Sequence, residues 1–165
     1  MKKINMKLIN KLLLLVIIST INTQGLYPIL NMPYSARSIS LSESGTSNAF
    51  YSISYNPASI KVNKLLFGFN SILLPLNISY NRLELIYTNG ENTYFTDIKN
   101  IDYGTFNDDL LNSQFSAQEI SLKLGIKRPF YNTFSGSISI DYIYSYIADY
   151  ISQGLVLSVG IRAET

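Results

Sequence analysis

The chain has 165 residues, 47% of them hydrophobic and only 15% charged, with a formal net charge of +2. That length fits one domain, and the charged fraction lies well below the roughly 25% of ordinary soluble domains. Cysteine and histidine are absent, which excludes disulfides, the common zinc and thiolate sites, and every Ser-His or Cys-His nucleophile pair.

Residues 1–25 read as a signal peptide. Lys2, Lys3, Lys7 and Lys11 form a basic leader, Leu12 to Ile18 is a short apolar run, and a polar tail ends at Gly25. The apolar run is too short to span a bilayer as a helix, which takes about 20 residues. Those four lysines carry much of the positive charge, and the rest of the chain is slightly acidic. No basic patch interleaved with aromatics occurs, so no nucleic-acid partner is expected.

Residues 26–64 have another texture. Pro28, Pro33 and Pro57 punctuate a stretch rich in Ser and Asn. Residues 35–41 could form a short extended run, and Asn56-Pro57-Ala58-Ser59 favours a turn that starts a short helix. Such an irregular segment is a poor lipid-facing strand, and its expected place is inside a larger structure or at its rim.

Residues 65–165 read as about six strands. Leu65, Phe67, Phe69 and Leu73 share one face of the first. In residues 77–88, Leu83, Leu85 and Tyr87 oppose Arg82 and Glu84. Asn89-Gly90 then signals a hairpin. Residues 92–103 alternate weakly, and residues 104–113, with Asn107, Asp108, Asp109 and Asn112, read as a loop. In residues 115–128, Ile120, Leu122, Leu124 and Ile126 oppose Glu119, Ser121, Lys123 and Lys127. After a turn at 129–133, residues 135–147 put Gly136, Ile138, Ile140, Tyr142, Tyr144 and Tyr146 on one face. Ser135, Ser137, Ser139, Asp141, Ile143, Ser145 and Ile147 lie on the other, which is mostly small and polar. Residues 148–150 connect to 151–163, where Ile151, Leu155, Leu157, Val159 and Ile161 oppose Ser152, Gly154, Ser158, Gly160 and Arg162.

Long one-sided strands behind a signal peptide are the pattern of a transmembrane β-barrel, where the backbone pairs between strands and the outer face is apolar. The tyrosine row suits an interfacial girdle. The expected fold is therefore all-β: an antiparallel transmembrane β-barrel in the bacterial outer membrane with lipid as its first partner. A secreted, soluble β-sandwich has the same alternation and is the competing architecture.

Three patches carry a resemblance. The first is Tyr34-Ser35-Ala36-Arg37-Ser38-Ile39-Ser40-Leu41 with Tyr55-Asn56-Pro57-Ala58-Ser59. The second is Ile101-Asp102-Tyr103-Gly104-Thr105-Phe106 with Phe115-Ser116-Ala117-Gln118-Glu119. The third is Ile143-Tyr144-Ser145 with Tyr150-Ile151-Ser152-Gln153-Gly154-Leu155. In this order and spacing they resemble the PorV/PorQ family of bacterial outer-membrane proteins. The resemblance implies a non-enzymatic barrel serving type IX protein secretion, with other components of that system as partners. It marks Ala36, Arg37, Asn56, Pro57, Ala58, Asp102, Tyr103, Gly104, Phe106, Glu119, Tyr144, Ser145 and Gly154 as motif positions of structural importance. Ser42 stands where the family has glycine. Family members are also longer and close a larger, FadL-like barrel, so the resemblance implies a partial barrel of about six strands, truncated rather than completed by another chain, with residues 26–64 as a plug-like element. A FadL-like channel for hydrophobic small molecules is the same fold with another function.

No catalytic, cofactor or metal site is expected. Asp108 and Asp109 lack the spacing of a calcium loop. Glu119 and Asp141 read as lumen-lining rather than as a glycosidase pair, and Arg82 with Glu84 as a lumen charge pair.

Overall fold

The structure is a computed structural model and describes residues 27–32, 52–108, 113–131 and 133–163. The signal-peptide segment, residues 35–41 with Ala36 and Arg37, and most of the acidic 107–112 stretch lie outside the described residues.

The described strands form one antiparallel sheet of six, in the order β1-β2-β3-β4-β5-β6. They are β1 Leu65–Leu73, β2 Ser79–Asn89, β3 Asn92–Asp108, β4 Ser113–Tyr131, β5 Phe134–Ile147 and β6 Tyr150–Ala163. Every strand pairs with its chain neighbour, so the sheet is a plain meander. β1 and β6 are its edges and do not pair with each other. The rest of the described chain is short turns: Pro28–Leu30, Ser52–Tyr55, Pro57–Ser59 and Pro75–Asn77. Among the described residues no second sheet encloses the tyrosine face, as a sandwich would require.

Turn chemistry sets the register. Asn89 pairs with Asn92, so the first tight hairpin turns on Gly90-Glu91. Gly90 has φ 59°, at the first central position, where such turns favour glycine. Ile147 pairs with Tyr150, which brings Tyr150 into β6 rather than the connection. β3 and β4 are 17 and 19 residues long, so they consume most of the stretch expected as a loop. Gly104, at φ 78°, makes this possible. It forms a bulge where the register shifts between Asp102 and Thr105. Glycine reads as a chain-breaker in sequence, yet in a bulge it lets the ladder continue.

The faces divide as the alternation required, but polarity is reversed from that of a soluble protein. The charged face is covered, with Arg82 1%, Asp97 0% and Asp141 1% exposed. The aliphatic face is bare, with Leu157 75% and Val159 76% exposed. Residues 27–32 and 52–62 lie against the covered face. Ile29 packs with Tyr80, Ile101 and Ile143 at one end of it. Ile53 and Ile60 pack with Ile86 and Phe95 at the other.

Close packing on that face explains one inward glycine. The Phe95 ring lies against Gly125, where an added Cβ would clash with the ring and with the Ser139 Cβ. Gly125→Ala is expected to lower stability by about 1–3 kcal/mol through overpacking. Phe95→Leu in the same chain should recover part of the loss, read as urea unfolding midpoints in detergent.

Candidate functional site

Two adjacent cross-strand rows on the covered face hold the charges. One runs Glu84–Asp97–Lys123–Asp141 across β2 to β5, and its neighbour runs Arg82–Lys99–Ser121. Strand pairing puts these side chains about 5 Å apart within a row. Arg82 is the hub. Its Nε donates to Asp97 Oδ1 at 2.6 Å and its Nη2 to Asp97 Oδ2 at 3.1 Å, while Nη2 lies 3.1 Å from Glu84 Oε2. Lys99 Nζ approaches Asp97 Oδ2 at 3.9 Å. Across the sheet, Ser121 Oγ donates to Asp141 Oδ1 at 2.7 Å and Lys123 Nζ stands 3.7 Å from Asp141 Oδ2. Three acids face three bases, so the belt balances its own charge.

On either side of the belt, side chains hold the irregular N-terminal segment. At one end Glu119 accepts from the Ile29 backbone N–H at 2.9 Å and from the Tyr103 hydroxyl at 3.2 Å. Tyr27 and Ser152 share a hydroxyl hydrogen bond of 2.8 Å. Tyr27 lies against Gly154, whose missing side chain leaves room for the ring. At the other end Asn56 caps the Pro57–Ser59 turn through its Oδ1, which accepts from Ala58 N at 3.1 Å. Ser135 Oγ donates to the Ala58 carbonyl at 2.8 Å, Arg162 Nη1 to that of Ser59 at 3.0 Å, and Lys127 Nζ to that of Ile60 at 2.6 Å.

The motif positions therefore have distinct places. Tyr103, Glu119 and Gly154 meet around residues 27–29, and Ser145 pairs directly with Glu119 on the buried side. Asn56, Pro57 and Ala58 form the second anchor, against β5 and β6. Asp102 Oδ1 accepts from Gly104 N at 2.8 Å and fixes the bulge. Phe106 stacks on Phe115 with ring centres 5.2 Å apart. Tyr144 lies on the bare face beside Tyr146, with ring centres 6.3 Å apart. Glu119 and Asp141 serve separate networks, with no shared cleft.

The charge pair expected from Arg82 and Glu84 is present and buried. Sequence reasoning missed Asp97, Lys99, Lys123, Lys127 and Arg162 as partners. The available signal was the spacing Arg82-x-Glu84, Asp97-x-Lys99 and Ser121-x-Lys123, which places each pair on one face of its strand. Among the described residues no acidic cluster could hold a metal ion. None of their helices is long and apolar enough to cross a membrane, which says nothing of strands. No protein-family model, curated protein or solved structure matches the chain.

Among the described residues these contacts brace the sheet and hold the N-terminal segment against it. Arg82→Met leaves Asp97 and Glu84 buried without their shared cation and should lower stability by about 3–5 kcal/mol. Arg82→Met with Glu84→Leu, which removes one charge of each sign and leaves Asp97 to Lys99, should recover part of that loss, by denaturant titration of the detergent-solubilised protein.

Proposed function

We propose that this chain forms part of the wall of a bacterial outer-membrane β-barrel of the PorQ type, a non-enzymatic component supporting type IX protein secretion and surface attachment of cargo. The observation that carries the membrane reading is the reversed polarity of the sheet. Three successive bare-face rows are almost wholly apolar. They are Leu65–Tyr87–Tyr94–Ile126–Ile138–Val159, Phe67–Leu85–Thr96–Leu124–Ile140–Leu157 and Phe69–Leu83–Ile98–Leu122–Tyr142–Leu155. Water cannot favour that surface, whereas lipid requires it. Beyond the aliphatic rows stand aromatics, Phe130 and Phe134 towards one rim and Tyr144 and Tyr146 towards the other, in the manner of interfacial girdles. β5 and β6, at 14 residues each, exceed the roughly 9–11 residues a tilted strand needs.

Lipid also demands that β1 and β6 be paired, so further strands, from this or another chain, complete the wall. Both the Gly90-Glu91 and the Ala148-Asp149 turns are two residues long, so orientation rests on the β3–β4 hairpin, which outruns its neighbours as extracellular hairpins of barrels do; the Gly90-Glu91 turn is then periplasmic.

The secretion role rests on the resemblance of the three patches to the PorV/PorQ family. It is supported by the structural work those patches do: most of their described residues hold the N-terminal segment or shape the β3–β4 hairpin. A conduit for hydrophobic molecules fits less well, because the middle of the covered face is charged and both its ends are packed.

Ile140→Arg should lose most outer-membrane assembly, since a charge of this kind at the midplane costs roughly 2–4 kcal/mol. Ser158→Arg, on the opposite face of the sheet, should assemble normally. Assembly is read as the folded, heat-modifiable band in the membrane fraction, and equal tolerance of both changes would refute the lipid-facing assignment. The secretion role is checked separately: deletion of the gene should release surface-attached cargo into the medium or retain it in the periplasm.

A further inference from the structure

We propose that the edge of β3 beyond Asp102 is a docking strand for an extended, basic segment of another protein. The proposal goes beyond the membrane reading and does not require the partner to be a secretion component.

The β3–β4 ladder outruns both of its neighbours. β2 stops pairing at Ser79–Asp102 and β5 stops at Ile147–Ala117. Beyond these points β3 and β4 continue through Thr105–Ser116, Phe106–Phe115, Asn107–Gln114 and Asp108–Ser113. Those pairs form a ribbon that projects about 13 Å past the sheet.

One hydrogen bond shows which backbone groups face outward. The Ser116 carbonyl accepts from Ala148 N at 3.0 Å, so it points towards β5 and away from β3. In an antiparallel ladder, a residue whose carbonyl points away from its partner belongs to a non-hydrogen-bonded pair, and the partner's groups also point away. Thr105 therefore directs its N–H and C=O to the side where β2 has ended. Asn107, two residues on, does the same. On the β4 side the Ser116 carbonyl is already engaged by the β5–β6 turn. Beyond Asp102, β3 is thus an open edge of this ribbon among the described residues.

The ribbon is preorganised. The Gly104 bulge is held by Asp102, and the stacked Phe106 and Phe115 rings tie the two strands together. Thr105, Phe106 and Asn107 are all exposed. The usual guards of a free edge, lysine and proline, are missing, since neither occurs between Asn100 and Leu122. Arginine is missing there too, while Asp102 and Asp108 both lie on β3. A complementary strand is therefore one that carries lysine or arginine and supplies backbone hydrogen bonds to Thr105 and Asn107, the mode of strand addition.

The test uses the full chain in a detergent with a zwitterionic headgroup. Fluorescent peptides of alternating lysine and valine, glutamate and valine, or lysine and proline are titrated by anisotropy, and amide exchange is read by mass spectrometry. The lysine–valine peptide should bind, and it should slow exchange at Thr105 and Asn107 by at least about tenfold, the equivalent of 1.4 kcal/mol. The other two peptides should not bind. Asn107→Pro removes an edge donor without touching the β3–β4 ladder, and it follows an extended residue that tolerates proline. It should weaken binding about tenfold, with Asn107→Ala unaffected. Asp102→Asn, which keeps the acceptor for Gly104 N, should weaken binding less and flatten its salt dependence. Failure of the lysine–valine peptide to bind, equal binding of the glutamate peptide, or protection confined to other strands each overturns the proposal. The exchange pattern of the unaltered chain decides the matter even where a variant does not fold.

Discussion

Arg82 sits 1% exposed between two carboxylates, and the rest of the sheet is arranged around making that position tolerable. A buried guanidinium without partners would cost several kcal/mol. Here the Asp97 contact is bidentate, the form that best matches guanidinium geometry. Lys99 and Lys123 bring further positive charge onto the same face, and Asp141 offsets it. All six groups depend on register. Slipping β3 by one residue against β2 would swing Asp97 and Lys99 to the bare face and bring Tyr94, Thr96 and Ile98 inward. In lipid both faces would then be wrong together, so the charge belt and the apolar surface reinforce a single alignment.

The ends of the covered face meet the same constraint with other means. Ile29 and Tyr80 at one end, and Ile53 and Phe95 at the other, exclude solvent on either side of the belt. The segments that bring Ile29 and Ile53 have no strand to satisfy their backbone groups. Strand side chains do so instead: Glu119 for the Ile29 amide, and Ser135, Arg162 and Lys127 for carbonyls of residues 58–60. A buried loop is otherwise costly because its polar groups find no partners. This explains why the strands carry Glu, Arg and Lys at their inward ends as well as at the centre.

How much of this was legible varies by strand, for a physical reason. β4 to β6 could be read closely because their inward positions are mostly Ser, Gly and charged residues while their outward ones are aliphatic, so a period of two stands out. β3 was obscured because Phe95 and Ile101 share the inward face with Asp97 and Lys99. Hydropathy alone cannot assign such a face, whose order lies in what β2 and β4 place opposite each residue. The hairpin was shortened on paper because Gly104, Asn107 and Asp108 are turn formers. The bulge turns a local breaker into a continuation, a decision made by the ladder rather than by the residue. The anchors were least visible. Glu119 and Ile29 are separated by 90 residues, and nothing in either segment names the other.

The two rims of the sheet also differ in a way that follows from backbone accounting. At one rim the tight Gly90-Glu91 turn closes its hairpin as soon as the bare face ceases to be apolar, leaving little backbone unpaired. At the other, β3 and β4 run on after their neighbours have stopped, through positions whose outer side chains are Thr, Asn, Gln and Ser. A strand in lipid could not do this, since its unpaired N–H and C=O groups would have no partners. In water it can, because solvent satisfies them until another strand does. If the bare face meets lipid, as proposed, the point where β2 and β5 end is where the demands on the sheet would change from lipid to water, and Gly104 lies at it: below the bulge every strand would need two neighbours, and above it a two-stranded ribbon would suffice.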